Sequence, residues 1–193
     1  MAGYFEIVRP VLLKVSHVPD AQILPLMPHV QRKVLLTGAF VLRAGDRATH
    51  AFIVESGLLR EYHLDREGRQ ATRSFSREGS FSGSLADLLS GSPAITYLEA
   101  LEPTTVLSIP WAAIESTAQA DIHWQVLLRR IAERLYVQKV NREHSLLTLT
   151  AVERLALFKS SYPGLWGRVP KHAIASYLGI TPVHLSRLSS AGL

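Results

Sequence analysis

Apolar positions along this chain change their period twice, and those changes divide it into three stretches. Residues 20–36 read as one short helix that ends in a basic patch of Gln31, Arg32 and Lys33. From Leu35 to Ile109 the pattern becomes short apolar or alternating runs separated by turn residues: VLLTGAFVLRAG, AFIVESG, LLREYHLDREGRQATRSF and YLEALEPTTVLSI. That spacing predicts antiparallel strands in a jelly roll of roughly 75 residues rather than alternating βα units. Asp65-Arg66-Glu67-Gly68 reads as a hairpin turn, with Gly68 supplying a positive φ.

After Pro110 the period turns helical. Trp111 to Thr117 predicts a short helix, and Asp121 can cap a much longer one that reaches residue 147. Trp124, Leu128, Ile131 and Leu135 fall on one apolar stripe of this long helix, and Tyr136, Val140 and Leu147 continue a neighbouring stripe. A helix of this length spans about 40 Å, too long to bury both stripes against one small β domain. A second copy of the chain is the economical partner, with Trp124, Leu128, Ile131 and Leu135 as the expected dimer interface. Thr150 then caps a helix to about Ser161, which Tyr162-Pro163-Gly164 ends.

Lys171 to Ser190 reads KHAIASYLGITPVHLSRLSS, the most specific stretch of the chain. Two helices that cross steeply need a small residue at their approach, a residue tolerant of positive φ in the turn, and apolar residues facing back from the second helix. Ala175, Gly179, and the pair Leu185 and Leu188 supply these, with Ile174, Leu178 and Ile180 completing the small core. Thr181 caps the second helix and Pro182 takes its first position, where a missing N–H costs nothing. The spacing predicts a helix-turn-helix whose outward turn carries Val183, His184 and Arg187 toward base edges, with Lys171, Thr181 and Ser186 set for phosphates.

Charge sharpens this picture. The net charge is +5, and from residue 148 onward Arg154, Lys159, Arg168, Lys171 and Arg187 face a single acid, Glu153. A basic segment of this kind suits a polyanion, because neutralising phosphates supplies most non-specific DNA affinity. Hydrophobic residues make up 47% of the chain, enough for real cores, and no apolar run is long enough for a membrane span. A cytoplasmic protein with no membrane partner is expected. The absence of cysteine excludes disulfides, thiol nucleophiles and thiolate-bound metals, and the eight histidines form no tight cluster, so no metal site is predicted.

The order jelly roll, long helix and helix-turn-helix resembles the Crp/Fnr family of bacterial transcription regulators. The resemblance rests on FVLRAGDRATHAFIVESGLLREY at 40–62, EGSFSGSLADLL at 78–89, EALEPTTVLSI at 99–109 and IASYLGITPVHLSR at 174–187. It implies an α+β chain with three parts: a cyclic-nucleotide-binding-like jelly roll at 1–118, a dimerisation helix at 119–147, and a helix-turn-helix domain at 148–193 without room for a wing. It further implies an effector-responsive homodimer on double-stranded DNA, with RNA polymerase as a further partner.

It also implies an effector pocket at Gly79, Ser82, Gly83, Ser84, Leu85, Ala94 and Ile95. In family members that bind cyclic AMP, a Glu after the second glycine and an Arg in the following stretch grip the ribose and phosphate. Here those places hold Ser84 and Ala94 or Ile95. Losing one buried partner of a phosphate costs about 2–5 kcal/mol, so cyclic AMP is not the expected effector. No cofactor is assigned and the effector is unknown. Arg69, Arg73 and Arg77 are the cations able to substitute. In the recognition helix Val183 stands where family members often carry a Glu, while Arg187 keeps the later place, so the operator is expected to differ from the usual one.

Two other classes stay open. Gly45, His50, Glu55 and Gly57 lie near the first motif of cupin-type metal enzymes, but Phe52 stands where a second His is needed. A haem-based gas sensor on the regulator fold would use His29, His63 or His123 as axial ligand.

Overall fold

Eight short strands follow the turn signals of the β region in a computed structural model of the chain, which describes residues 2–190. They are β1 (Gln31–Leu35), β2 (Phe40–Leu42), β3 (His50–Ser56), β4 (Leu58–Leu64), β5 (Gln70–Arg77), β6 (Phe81–Ser82), β7 (Tyr97–Ala100) and β8 (Thr104–Pro110). The helices are α1 (Ala2–Leu13), α2 (Asp20–Ile23), α3 (Leu85–Ser90), α4 (Trp111–Ala120), α5 (Ile122–Thr148), α6 (Ala151–Ser161), α7 (Lys171–Leu178) and α8 (Pro182–Ser190). Among the described residues no helix is long and apolar enough to cross a membrane.

Residues 20–36 do not form the single helix their pattern predicts. Pro25 and Pro28 lack the N–H that a continuing α-helix needs, so α2 ends after one turn and relaxes into a 3-10 stretch, Leu24–His29. The basic patch lies instead on β1, which pairs antiparallel with β8 from Gln31↔Ser108 to Leu35↔Thr104.

Packing divides the chain into two units. One comprises the residues up to Glu61 together with Phe75–Leu135, and the other Tyr62–Ser74 together with the residues from Tyr136 onward. These boundaries fall inside the long helix α5 and inside the β4–β5 hairpin.

Two four-stranded antiparallel sheets form, ordered β1-β8-β3-β6 and β2-β7-β4-β5, with the end of the β4–β5 hairpin counted in the second unit. Side chains alternate along a strand, so the central strands β3 and β8 of the first sheet each serve two cores. Phe52, Val54 and Val106 join Leu42, Leu59, Leu98 and Ala100 between the sheets. Ile53, Leu107 and Ile109 join Val8, Leu12, Leu26, Ile114, Trp124 and Leu127 of the helical layer. Burial on both faces explains why β3 is near-continuously apolar. Between β3 and β4, Gly57 (φ +90°) is irreplaceable, since a Cβ there would stand 2.6 Å from the Pro103 carbonyl oxygen.

The second unit is built on the C-terminal helices. Thr150 and Glu153 close a capping box at the start of α6, each accepting from the other's backbone N–H. Leu155, Phe158, Leu165, Val169, Ala173, Ile174, Leu178 and Leu185 are buried. The Phe158 ring packs 5.4 Å from Tyr162 and 5.5 Å from Tyr177.

Candidate DNA interface and effector cradle

The helix-turn-helix forms over the residues its sequence marks. At the end of α7, Gly179 adopts φ +66°, and the Ile180 and Gly179 amides donate to the Ala175 and Ser176 carbonyls, which satisfies two orphan acceptors of the helix end. A Cβ on Gly179 would also press on Leu146 Cδ2 at 3.1 Å, so two properties of glycine are used at once. The Thr181 hydroxyl accepts from the His184 amide at 3.1 Å, and its carbonyl accepts from Leu185, which fixes the start of α8 at Pro182. Leu185 is buried and Leu188 half-buried, whereas Val183, His184, Ser186 and Arg187 are exposed, as are Thr181 and Lys171. The six residues expected to meet DNA thus lie on solvent-facing positions of one two-helix element.

The stripe expected to form a dimer is placed differently. Trp124 is 2% exposed and its indole N–H donates to the Gln22 carbonyl at 2.9 Å, while Leu128 and Ile131 pack against the same core. This stripe is consumed by its own unit, because α1, which the sequence reading did not include, joins α2 and the 3-10 stretch in an apolar layer. Of the four residues only Leu135, at 42%, is largely exposed. The neighbouring stripe carries the exposed apolar surface: Tyr136, Val137, Val140 and Leu147 are all exposed.

The residues expected to form the effector cradle lie on one tight loop and the short helix that follows it. Gly79 follows β5 at φ +69°, its amide donating to Val54 and its carbonyl accepting from Lys14 Nζ at 3.0 Å. Ser82 lies on β6, opposite Phe52, with its buried hydroxyl unpaired, and Gly83 turns the chain into α3. Ser84 caps α3, accepting from the Asp87 amide at 3.5 Å and from the Thr96 hydroxyl at 3.1 Å. Leu85 opens the helix, Ala94 is buried and Ile95 is 69% exposed.

The residue that the sequence reading missed is Asp87. It is 5% exposed, its Oδ1 accepts from the Ile95 amide at 3.4 Å, and its Oδ2 has no partner. The Ser84-x-x-Asp87 spacing was the available signal, since a capping serine is often followed by an acid three residues on. Arg69, one of the cations considered as a substitute, is held by Asp65 and Glu67.

His50 interacts with Thr49 Oγ1 at 2.9 Å and stacks near Phe52. Burial, followed by the nearby Lys33 charge, lowers its pKa. His123 Nδ1 lies 3.3 Å from Asp121, and His29 is exposed. Among the described residues no group of three histidines or carboxylates could hold a metal ion.

Residues 32–121 match the model of the cyclic nucleotide-binding domain. The chain is 24% identical to the fumarate and nitrate reduction regulatory protein of Vibrio cholerae, covering 82% of this chain and 67% of that protein. It is 25% identical to the anaerobic regulatory protein of Aggregatibacter actinomycetemcomitans, covering 82% of this chain and 65% of that one. The chain therefore spans about two thirds of the length of these curated relatives. In fold it is similar to FixK2 of Bradyrhizobium japonicum, with a TM-score of 0.74 and 23% identity over 84% of this chain and 83% of that one.

Proposed function

We propose that the chain is a transcription regulator of the Crp/Fnr type, which binds a near-palindromic DNA site as a homodimer in the cytoplasm. The observation that carries this reading is the solvent-facing set of Lys171, Thr181, Val183, His184, Ser186 and Arg187 on a helix-turn-helix with a fixed second-helix start. Dimerisation runs through the exposed Tyr136, Val137, Val140 and Leu147 stripe of α5, with Leu135 at its edge. The relatives are regulators rather than enzymes, which favours this reading over a metal-dependent jelly-roll enzyme or a haem sensor. RNA polymerase is the further partner that a regulator of this kind would engage.

Arg187 is the one described side chain of α8 able to make a bidentate contact to guanine, worth about 1–3 kcal/mol of discrimination. Arg187→Ala relaxes sequence preference, whereas Lys171→Ala weakens all sites alike and lowers the salt slope by about one unit. Selection from random DNA, followed by fluorescence anisotropy at several salt concentrations, checks both. Two-fold symmetry predicts half-sites about 10 base pairs apart. A folded dimer that enriches no palindrome, with or without cell extract as a source of effector, would refute the reading.

The effector is not cyclic AMP. Ser84, Ala94 and Ile95 lack the ionic grips of nucleotide-binding relatives, and Asp87 adds a buried carboxyl group in the first turn of the helix that would receive the phosphate. Calorimetry at micromolar protein is expected to show no sub-micromolar binding of cyclic AMP.

A further inference from the structure

Ser176 is an ordinary residue by sequence, yet its hydroxyl uses all three of its hydrogen-bonding capacities on residues more than a hundred positions away. It accepts from the Thr72 amide at 2.9 Å and from the Thr72 hydroxyl at 3.0 Å, and it donates to the Gln70 carbonyl. All three residues belong to the second packing unit, where the hairpin tip and α7 come together. Thr72 is 4% exposed, so its two bonds to Ser176 are partly shielded from competing water, whereas the bond to Gln70 lies at the surface.

The hairpin that makes this contact is stiff. The Asp65 carboxylate accepts from the Glu67 and Arg69 amides at 2.9 Å each and from Arg69 Nε at 2.7 Å, and Gly68 turns at φ +77°. The next residue of α7 is gripped from another side. Arg142 of α5 donates to the Tyr177 carbonyl and lies 3.9 Å over the Tyr177 ring. The last turn of α7 is therefore fixed at consecutive residues by two separate elements. Only Gly179, Ile180 and Thr181 separate it from α8, so whatever fixes α7 also fixes the direction of the recognition helix.

We propose that Ser176 is a positioning residue for DNA recognition: its hydroxyl latches the β4–β5 hairpin to α7, and the state of that latch sets the affinity of α8 for its site. The proposal rests on the DNA-binding reading above and names the regulation of that same surface. Strand β5 provides the covalent route for a signal, since it starts at Gln70 in the latch and ends at Arg77, two residues before the cradle glycine Gly79.

The chain has no cysteine, which makes the test clean. In a Thr72→Cys/Ser176→Cys variant the two sulfurs replace hydroxyl oxygens 3.0 Å apart, close to the geometry a disulfide needs. Dilute protein with oxidised glutathione is expected to form an intramolecular bond. The dissociation constant for the palindrome selected with the unaltered chain should then differ at least about tenfold between the oxidised and the reduced forms, because the locked form samples one orientation only. The uncrosslinked variants supply the control: Ser176→Ala should shift affinity several-fold with an unchanged circular dichroism spectrum, and Ser176→Thr, which keeps the hydroxyl, should restore it.

A disulfide that never forms overturns the latch. So does a fully crosslinked chain that binds DNA within twofold of its reduced form, even though the regulator reading would stand. An unaltered chain that selects no DNA site at all would end both the regulator reading and this role for Ser176.

Discussion

The two halves of α5 share one helical period and meet different fates. In residues 122–135 the apolar stripe is inside: Trp124 is 2% and Leu127 1% exposed. In residues 136–148 the apolar side chains face solvent, Tyr136 at 69% and Leu147 at 77%. The first half packs on a layer that this chain supplies itself, and Trp124 even finds a carbonyl for its indole N–H. The second half turns only selected residues inward, with Ser145 buried and Arg142 half-buried against α7, and leaves Val137 and Val140 uncovered. Periodicity reports that a stripe exists. What covers it depends on which other elements are at hand.

The sharpest way to test that contrast is to remove one anchor from each half. Trp124→Ala leaves a cavity and a half-buried carbonyl without its donor, and should cost about 3–5 kcal/mol in urea unfolding. Tyr136→Ala, measured on the monomer at low concentration, should stay within about 0.5 kcal/mol of the parent chain. Equal losses at the two positions would mean that the second half is covered within the chain after all.

A smaller effect on folding, but a decisive one on assembly, is expected from Val137→Glu combined with Val140→Glu. Two charges in a desolvated helix pair should weaken the dimer by about 2 kcal/mol or more, and analytical ultracentrifugation should show monomers with unchanged helicity. The pair Ile131 and Leu135 would be a poorer choice, because Ile131 also packs on the first unit's core and its loss would mix unfolding with dissociation. A double variant that stays fully dimeric would place the interface elsewhere.

The same contrast explains what was legible beforehand. The strand region, α6 and the helix-turn-helix could be read because turns, caps and glycines are local signals: Thr150, Gly179, Thr181 and Pro182 each act within a few residues. The β1 strand was hidden because the proline-broken 3-10 stretch before it mimics a continuing helix. Helix α1 lay outside every motif, and without it the Trp124 stripe looked unpartnered. In the cradle, the missing Glu and Arg were legible as substitutions, whereas the burial of Asp87 goes with an amide eight residues on, that of Ile95. Ser176 and Arg142 were invisible for a stronger reason. Their partners are 104 and 35 residues away, and nothing in one segment announces the other.

Acid should separate the two units by the smallest effect considered, because each carries a different titrating group. In the first unit burial, then the Lys33 charge, lowers the His50 pKa. The fold thus favours the neutral ring, so its contribution is complete above the usual histidine value of about 6.5 and is lost as pH falls through that value to the lowered one. In the second unit the Thr150 amide and hydroxyl lower the Glu153 pKa. That contribution is present throughout the neutral range and is lost only as pH falls through the carboxylate range and the lowered value. The three tryptophans make the units separately visible: Trp111 and Trp124 report the first, Trp166 the second. In a Trp166→Phe chain the fluorescence melting temperature should begin to drop by a degree or so between pH 7 and pH 5, and His50→Gln should remove that step. In a chain retaining only Trp166 the drop should wait until below about pH 4.5, and Glu153→Gln should reduce it while lowering stability at neutral pH, the rest coming from the Asp65 carboxyl that Arg69 also holds below its usual value. If both reporters instead melt over one shared acid window that neither substitution moves, the two units are unfolding as one body, and the contrast between the two halves of α5 describes exposure but not independent stability.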